Sequence, residues 1–88
     1  MHSLLSDKDF ETIQDILVEQ LGVVSDQLTP EAHLRNDLGA DSLTEIEVGM
    51  ALEERFSLSI PDEQLENVRT VGDIYELLAK LLAARNPH

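Results

Sequence analysis

Apolar residues recur at helical spacing along most of this chain. Phe10, Ile13, Ile16, Leu17 and Leu21 follow one another at steps of one, three and four, the repeat of one face of an α-helix. Ser6-Asp7-Lys8-Asp9 supplies the start signal, with Ser6 as N-cap, and Gly22 supplies the stop in a left-handed conformation. From Val23 to Gly39 the repeat is lost. Pro30, Asn36 and other polar residues predict a long ordered loop, pinned to the core by Leu28, Leu34 and Leu38. A second helix is expected from about Ser42 to Ser57, stopped by Ser57 and Ile60-Pro61. Pro61 then leads into a short third helix through Asp62, Glu63, Gln64, Leu65 and Glu66, too brief to stand without packing and expected to be the softest element. Thr70 with Asp73 caps a last helix, whose stripe of Ile74, Leu77, Leu78, Leu81 and Leu82 ends near Arg85-Asn86-Pro87. The sequence has no alternating strand pattern of useful length, no internal repeat and no low-complexity segment. The expected class is all-α: a small four-helix bundle of three main helices and one short one, with a long loop between helices one and two.

The second helix has two apolar faces. At about 100° per residue, Val48, Ala51, Leu52 and Phe56 share one side, the core face. Leu43, Ile46 and Met50 fall nearly opposite and are bordered by Glu47, Glu53 and Glu54. That second stripe is either additional core or an exposed docking surface. The acids favour docking, because burying them unpaired is costly. Partners would carry Lys or Arg around a small apolar pocket, in weak, salt-sensitive contacts. Taken by charge count alone, the same acids are a solvated helix face.

Composition narrows the picture. Eighty-eight residues suffice for one small domain, expected to cover 1–88. Eighteen Asp and Glu against six Lys and Arg leave a net charge of -12, which disfavours nucleic acid and anionic membrane surfaces. With 42% hydrophobic residues the chain is too apolar for an unfolded acidic tail. There is no Cys, so disulfides, thiol catalysis and thiolate metal sites are excluded, and a reducing compartment, by default the cytoplasm, is expected. No apolar run is long enough to span a bilayer, and Met1 to Asp7 lacks the features of a signal peptide.

Candidate chemistry centres on Ser42, at the end of Asp37-Leu38-Gly39-Ala40-Asp41-Ser42-Leu43. Its structural reading is helix capping: Ser42 and Glu45 fit a capping box, and Asp41 is an equally good N-cap. The alternative is covalent modification, since a phosphodiester on Ser42 would lie at the positive end of the helix dipole. A hydrolase nucleophile elbow fails because Ala40 and Thr44 stand where Gly is required. A calcium loop from Asp37 fails at Gly39, Ser42 and Val48. His2, His33 and His88 are scattered, are expected to pair with nothing, and give no metal or acid-base set. With no base, nucleophile pair or metal set to assemble, no enzyme is expected.

Asp37 to Leu43, followed by Met50-Ala51-Leu52-Glu53-Glu54, Phe56 and Ile60-Pro61-Asp62-Glu63, resembles an acyl carrier protein of the bacterial fatty-acid-synthase type. Glu19-Gln20-Leu21-Gly22-Val23 and Thr70-Val71-Gly72-Asp73 extend the resemblance over almost the whole chain. It implies that Ser42 carries 4'-phosphopantetheine, transferred from coenzyme A by a separate phosphopantetheinyl transferase, with acyl groups held as thioesters on the arm. Asp41 and Leu43 complete the Asp-Ser-Leu attachment motif, with Asp41 helping the transferase and its metal engage the serine. The resemblance also implies that Leu43, Ile46, Glu47, Met50, Glu53 and Glu54 meet the basic docking patches of acyl-loading, ketosynthase and other acyl-chain-processing enzymes. It implies an acyl chain sheltered between helices, with Ile46, Val48, Leu52, Leu65 and Ile74 as lining, and a monomer.

The chain departs from the housekeeping pattern at Thr44 and Arg55, where acids are common, while Glu45 supplies an acid one step on from Thr44. Gly49 is unexpected inside a helix, where it costs about 1 kcal/mol relative to Ala. It could widen the acyl cavity, allow closer docking or be tolerated drift. These departures keep a specialised polyketide or aminoacyl carrier open beside a fatty acid carrier. An unmodified acidic helical adaptor, with Ser42 only a cap, is the alternative from another class.

Overall fold

The computed structural model describes residues 5–85, and its first two long helices begin and end on caps suited to those positions. Ser6 starts α1 (Asp7–Leu21), its Oγ accepting the Asp9 N–H at 3.1 Å. Gly22 ends it at φ 69°, its N–H donating to the Val18 carbonyl. Helix α2 spans Ser42–Phe56, with Ser57 as a left-handed C-cap at φ 53°. Helix α3 is Asp62–Glu66 and has no side-chain cap; the N–H groups of Gln64 and Leu65 both donate to the Pro61 carbonyl. Helix α4 is Val71–Arg85. At its start Thr70 Oγ1 accepts the Asp73 N–H at 3.1 Å while Asp73 Oδ2 accepts the Thr70 N–H at 3.1 Å, the expected capping box. The described residues thus form the all-α, four-helix architecture of three long helices and one short one. His2, His88 and the Asn86-Pro87 stop signal lie outside the described residues.

Each long helix turns one stripe inward. Ile13, Ile16 and Leu17 of α1 meet Val48, Leu52 and Phe56 of α2 and Val71, Ile74, Leu77 and Leu78 of α4 in a single core. Burying each such aliphatic side chain contributes roughly 1.5–3 kcal/mol. Leu81 and Leu82 are only partly buried, so the α4 stripe weakens toward its end. Phe10 is exposed at the edge of α1, where its ring stacks on Tyr75 of α4 with centroids 4.4 Å apart.

The connection from α1 to α2 is ordered as expected, around one 3-10 turn at Ser25–Gln27. Leu28, Leu34 and Leu38 are buried, together with Ala32 and Ala40. Backbone bonds add what leucine spacing does not reveal. Leu34 N–H donates to the Arg69 carbonyl at 2.9 Å, Val71 N–H to Ala32 at 3.0 Å and Gly72 N–H to Pro30 at 3.0 Å. The loop is therefore tied to the segment entering α4, with His33 and Thr70 forming an isolated bridge. His33 is not solitary: its Nδ1 accepts the Asn36 N–H at 3.3 Å, and its own N–H donates to Asp37 Oδ2 at 2.8 Å.

Candidate functional site

The loop delivers its end to the start of α2 through Gly39, which at φ 74° takes a conformation that side-chain-bearing residues rarely adopt. Asp41 is the N-cap. Its Oδ1 accepts the Thr44 N–H at 2.8 Å and the Thr44 hydroxyl at 2.9 Å. Those bonds, the backbone one foremost, hold the Asp41 carboxyl below the usual carboxylate range. Ser42 is therefore the first helical residue rather than the cap, and the Ser42–Glu45 capping box does not form. Its hydroxyl is left at the surface, accepting a hydrogen bond from Arg35 Nη2 at 3.2 Å. Glu45 turns the same way: Arg35 Nε donates to Glu45 Oε2 at 2.9 Å and Nη2 to Oε1 at 3.0 Å, a two-pronged ion pair. That hydrogen bond, and then the Glu45 charge, push the Arg35 pKa further upward.

Beside Ser42 lies a cleft of about 510 Å³ lined by Arg35, Ser42, Glu45, Ile46, Asp62, Leu65 and Glu66. Beneath it lies an apolar cavity of about 10 Å³, with Leu34, Ala40, Val48, Leu65, Val68 and Ile74 in its wall. That is about the space of one water molecule. Leu65 and Glu45 belong to both linings and so form the partition between them. Of the residues expected to line an acyl cavity, Val48, Leu65 and Ile74 meet at the inner void and Ile46 faces the outer cleft. Leu52, at 1% exposure, is core and lines neither.

Gly49 explains how Leu65 sits there. A Cβ at Gly49 would come within 2.8 Å of Leu65 Cδ2, so the missing side chain makes the seat for α3 on α2. This contact is internal; Gly49 is buried and takes no part in the outer surface.

On the other side of α2, Leu43, Ile46 and Met50 are 63%, 52% and 62% exposed. Glu47 and Glu54 are exposed beside them, and Glu47, Met50, Glu53 and Glu54 border a shallow depression with Gln20 of α1. Glu53 also has an internal task, since its Oε2 accepts the Ile60 N–H at 2.7 Å and anchors the turn after α2. Arg35 is the site residue that sequence reasoning misses. It lies ten positions from Glu45 across a loop, and no periodic pattern links the two.

The four-helix fold thus presents a serine hydroxyl that caps nothing at a helix start, beside a cleft. The family model described as "Phosphopantetheine attachment site" matches residues 11–78. An acyl carrier protein of Syntrophobacter fumaroxidans is 56% identical over 72 residues, covering 82% of this chain and 89% of that one. One from Helicobacter pylori is 52% identical over 69 residues, covering 78% and 88%. The solved acyl carrier protein of Enterococcus faecalis superposes with a TM-score of 0.68 at 28% identity, covering 80% of this chain and 89% of that one. The chain belongs to the acyl carrier protein family and carries acyl intermediates on a covalently attached 4'-phosphopantetheine. The residues present fit such a group: a surface hydroxyl not used in capping, a cation in contact with that oxygen, and an adjoining cleft whose wall includes Ile46 and Leu65. Among the described residues no helix is long and apolar enough to cross a membrane, and no group of three or more His, Cys, Asp or Glu could hold a metal ion.

Proposed function

We propose that Ser42 is the residue that bears the arm, and that the chain acts as a single, monomeric cytoplasmic carrier domain in fatty acid or related lipid biosynthesis, performing no catalysis itself. The observation that carries this reading is the division of labour at the start of α2. Asp41 caps the helix, so the Ser42 hydroxyl is at the surface and has no cap to maintain. In the transfer, Ser42 Oγ forms a bond to phosphorus as its proton leaves and the nucleotide part of coenzyme A departs. Arg35 donates to Oγ, so the hydroxyl proton remains available to a base on the transferase. When attached, the arm supplies the thiol that a chain without Cys lacks.

The exposed stripe of Leu43, Ile46 and Met50, with Glu47, Glu53 and Glu54, supports docking by the phosphopantetheinyl transferase and by acyl-loading, condensing and chain-processing enzymes with basic patches. Val48, Leu65 and Ile74 support shelter for an acyl chain. A void of about 10 Å³ holds no chain, so shelter requires α3 and Leu65 to move outward.

Intact mass before and after incubation with coenzyme A, Mg²⁺ and a broad-specificity transferase tests the assignment. One phosphopantetheine is expected on the parent and none on Ser42→Ala. No addition to the unmodified parent, with a transferase active on another carrier, would return Ser42 to structural status and bring forward an unmodified acidic adaptor.

A further inference from the structure

Arg35 stands where an attached anion would most need a cation. The cleft beside Ser42 has three acids in its lining, Glu45, Asp62 and Glu66, and Arg35 as its basic residue. The whole chain carries -12. An arm joined through a phosphodiester places another negative charge, on the non-bridging oxygens next to the Ser42 oxygen, where those carboxylates repel it. Arg35 Nη2 lies 3.2 Å from that oxygen.

We infer that Arg35 is a phosphate clamp: its guanidinium binds the phosphodiester at the root of the arm and holds the arm at the mouth of the cleft lined by Ile46 and Leu65. The inference rests on Ser42 being the attachment residue.

Donor chemistry supports it. A guanidinium offers five N–H groups in a rigid fork that matches carboxylate and phosphate oxygens. In the unmodified protein Nε and one Nη2 hydrogen engage Glu45, and a second Nη2 hydrogen engages Ser42 Oγ. Esterification turns Oγ into a bridging oxygen, a poor acceptor, and places charged non-bridging oxygens one bond further out. The hydrogen that Oγ held then has a stronger acceptor beside it. Glu45 is the positioning residue. Its side chain is 21% exposed against 53% for Arg35, so the more buried carboxylate fixes the plane of the more mobile fork. The arrangement becomes carboxylate, guanidinium, phosphodiester, with the cation in the middle.

The test uses the full chain, with arginine side chains nitrogen-labelled, before and after loading with phosphopantetheine. In loaded wild-type protein, NMR should show an Overhauser contact between phosphorus and the Arg35 side-chain N–H protons, and the Arg35 Nε–H resonance should move on loading. The phosphorus resonance should shift in loaded Arg35→Gln and stay in place in loaded Arg55→Gln, which alters an exposed arginine at the far end of α2. Arg35→Lys, which keeps charge without the fork, should give an intermediate shift. Glu45→Gln, which removes the carboxylate that fixes the plane of the fork, should weaken the phosphorus contact without abolishing it. Full loading by intact mass, with Arg35 signals unmoved and phosphorus indifferent to Arg35→Gln, would overturn the clamp and leave the attachment site standing. Failure of the wild-type chain to load at Ser42 would overturn both.

Discussion

Asp41 and Ser42 show how much a single position decides. Both residue types cap helices, they are adjacent, and a helix start read from sequence is uncertain by a residue or two, so the pattern leaves the cap open between them. The two hydrogen bonds from Thr44 settle it, and in doing so leave Ser42 available. Arg35 was illegible for a different reason. Its partners depend on the path of a loop, and loop paths follow from backbone bonds that no side-chain period encodes. Asp73, by contrast, was legible, because a capping box has a fixed spacing. The Arg69 and Thr70 backbone N–H groups hold its carboxyl below the ordinary value of 3.8. A depressed acid stabilises the fold above its unfolded pKa, and that contribution is lost as pH falls through the folded one. Asp73→Asn should therefore lower the melting temperature near neutrality, by a loss of up to about 1 kcal/mol. The gap to the parent should begin to narrow as the pH drops below 3.8 and close as it falls through the lower folded value, and thermal melts across that range check it.

Among the elements, α1, α2 and α4 were legible because their burial repeats every three or four residues, and α2 also showed its second stripe. The role of Gly49 was not. A glycine in a helix signals a close approach without saying what approaches, and the visitor is Leu65 from an element too short to show a period. Gly49→Ala gains helix propensity, about 1 kcal/mol, and displaces only the terminal methyl of Leu65, so its net effect on global stability should be small. Its signature should be local, with faster amide exchange in α3 and a cost of Leu65→Ala that falls by roughly 0.5–1 kcal/mol in the Gly49→Ala background. A double-mutant cycle by denaturant unfolding measures the second. On the outer face of α2, Met50→Ala should change stability by less than about 0.5 kcal/mol because the side chain is exposed. It should weaken transferase binding by at least about fivefold if the face docks as proposed, as a titration would show.

At the scale of the whole molecule, the single core was legible from three inward apolar stripes and the loop leucines. The tie between the loop and the entry to α4 was not, since one isolated bridge makes no alternating pattern. Charge is the property that composition gives outright. At -12 the compact state works against its own repulsion, so raising salt, which shortens the screening length from about 10 Å at 0.1 M to about 3 Å at 1 M, should raise the melting temperature. A constant or falling value would rule self-repulsion out as a significant term. The ring stack of Phe10 on Tyr75 has a practical use of its own. The chain has one Tyr and no Trp, so its tyrosine emission comes from a single ring, wedged where α1 meets α4 with its hydroxyl buried and without a hydrogen-bond partner. The Leu65 partition between the outer cleft and the inner void includes neither ring. Lifting α3 to admit cargo should leave that glow unchanged, while true unfolding should alter it, so the molecule has a built-in lamp that separates opening for freight from falling apart.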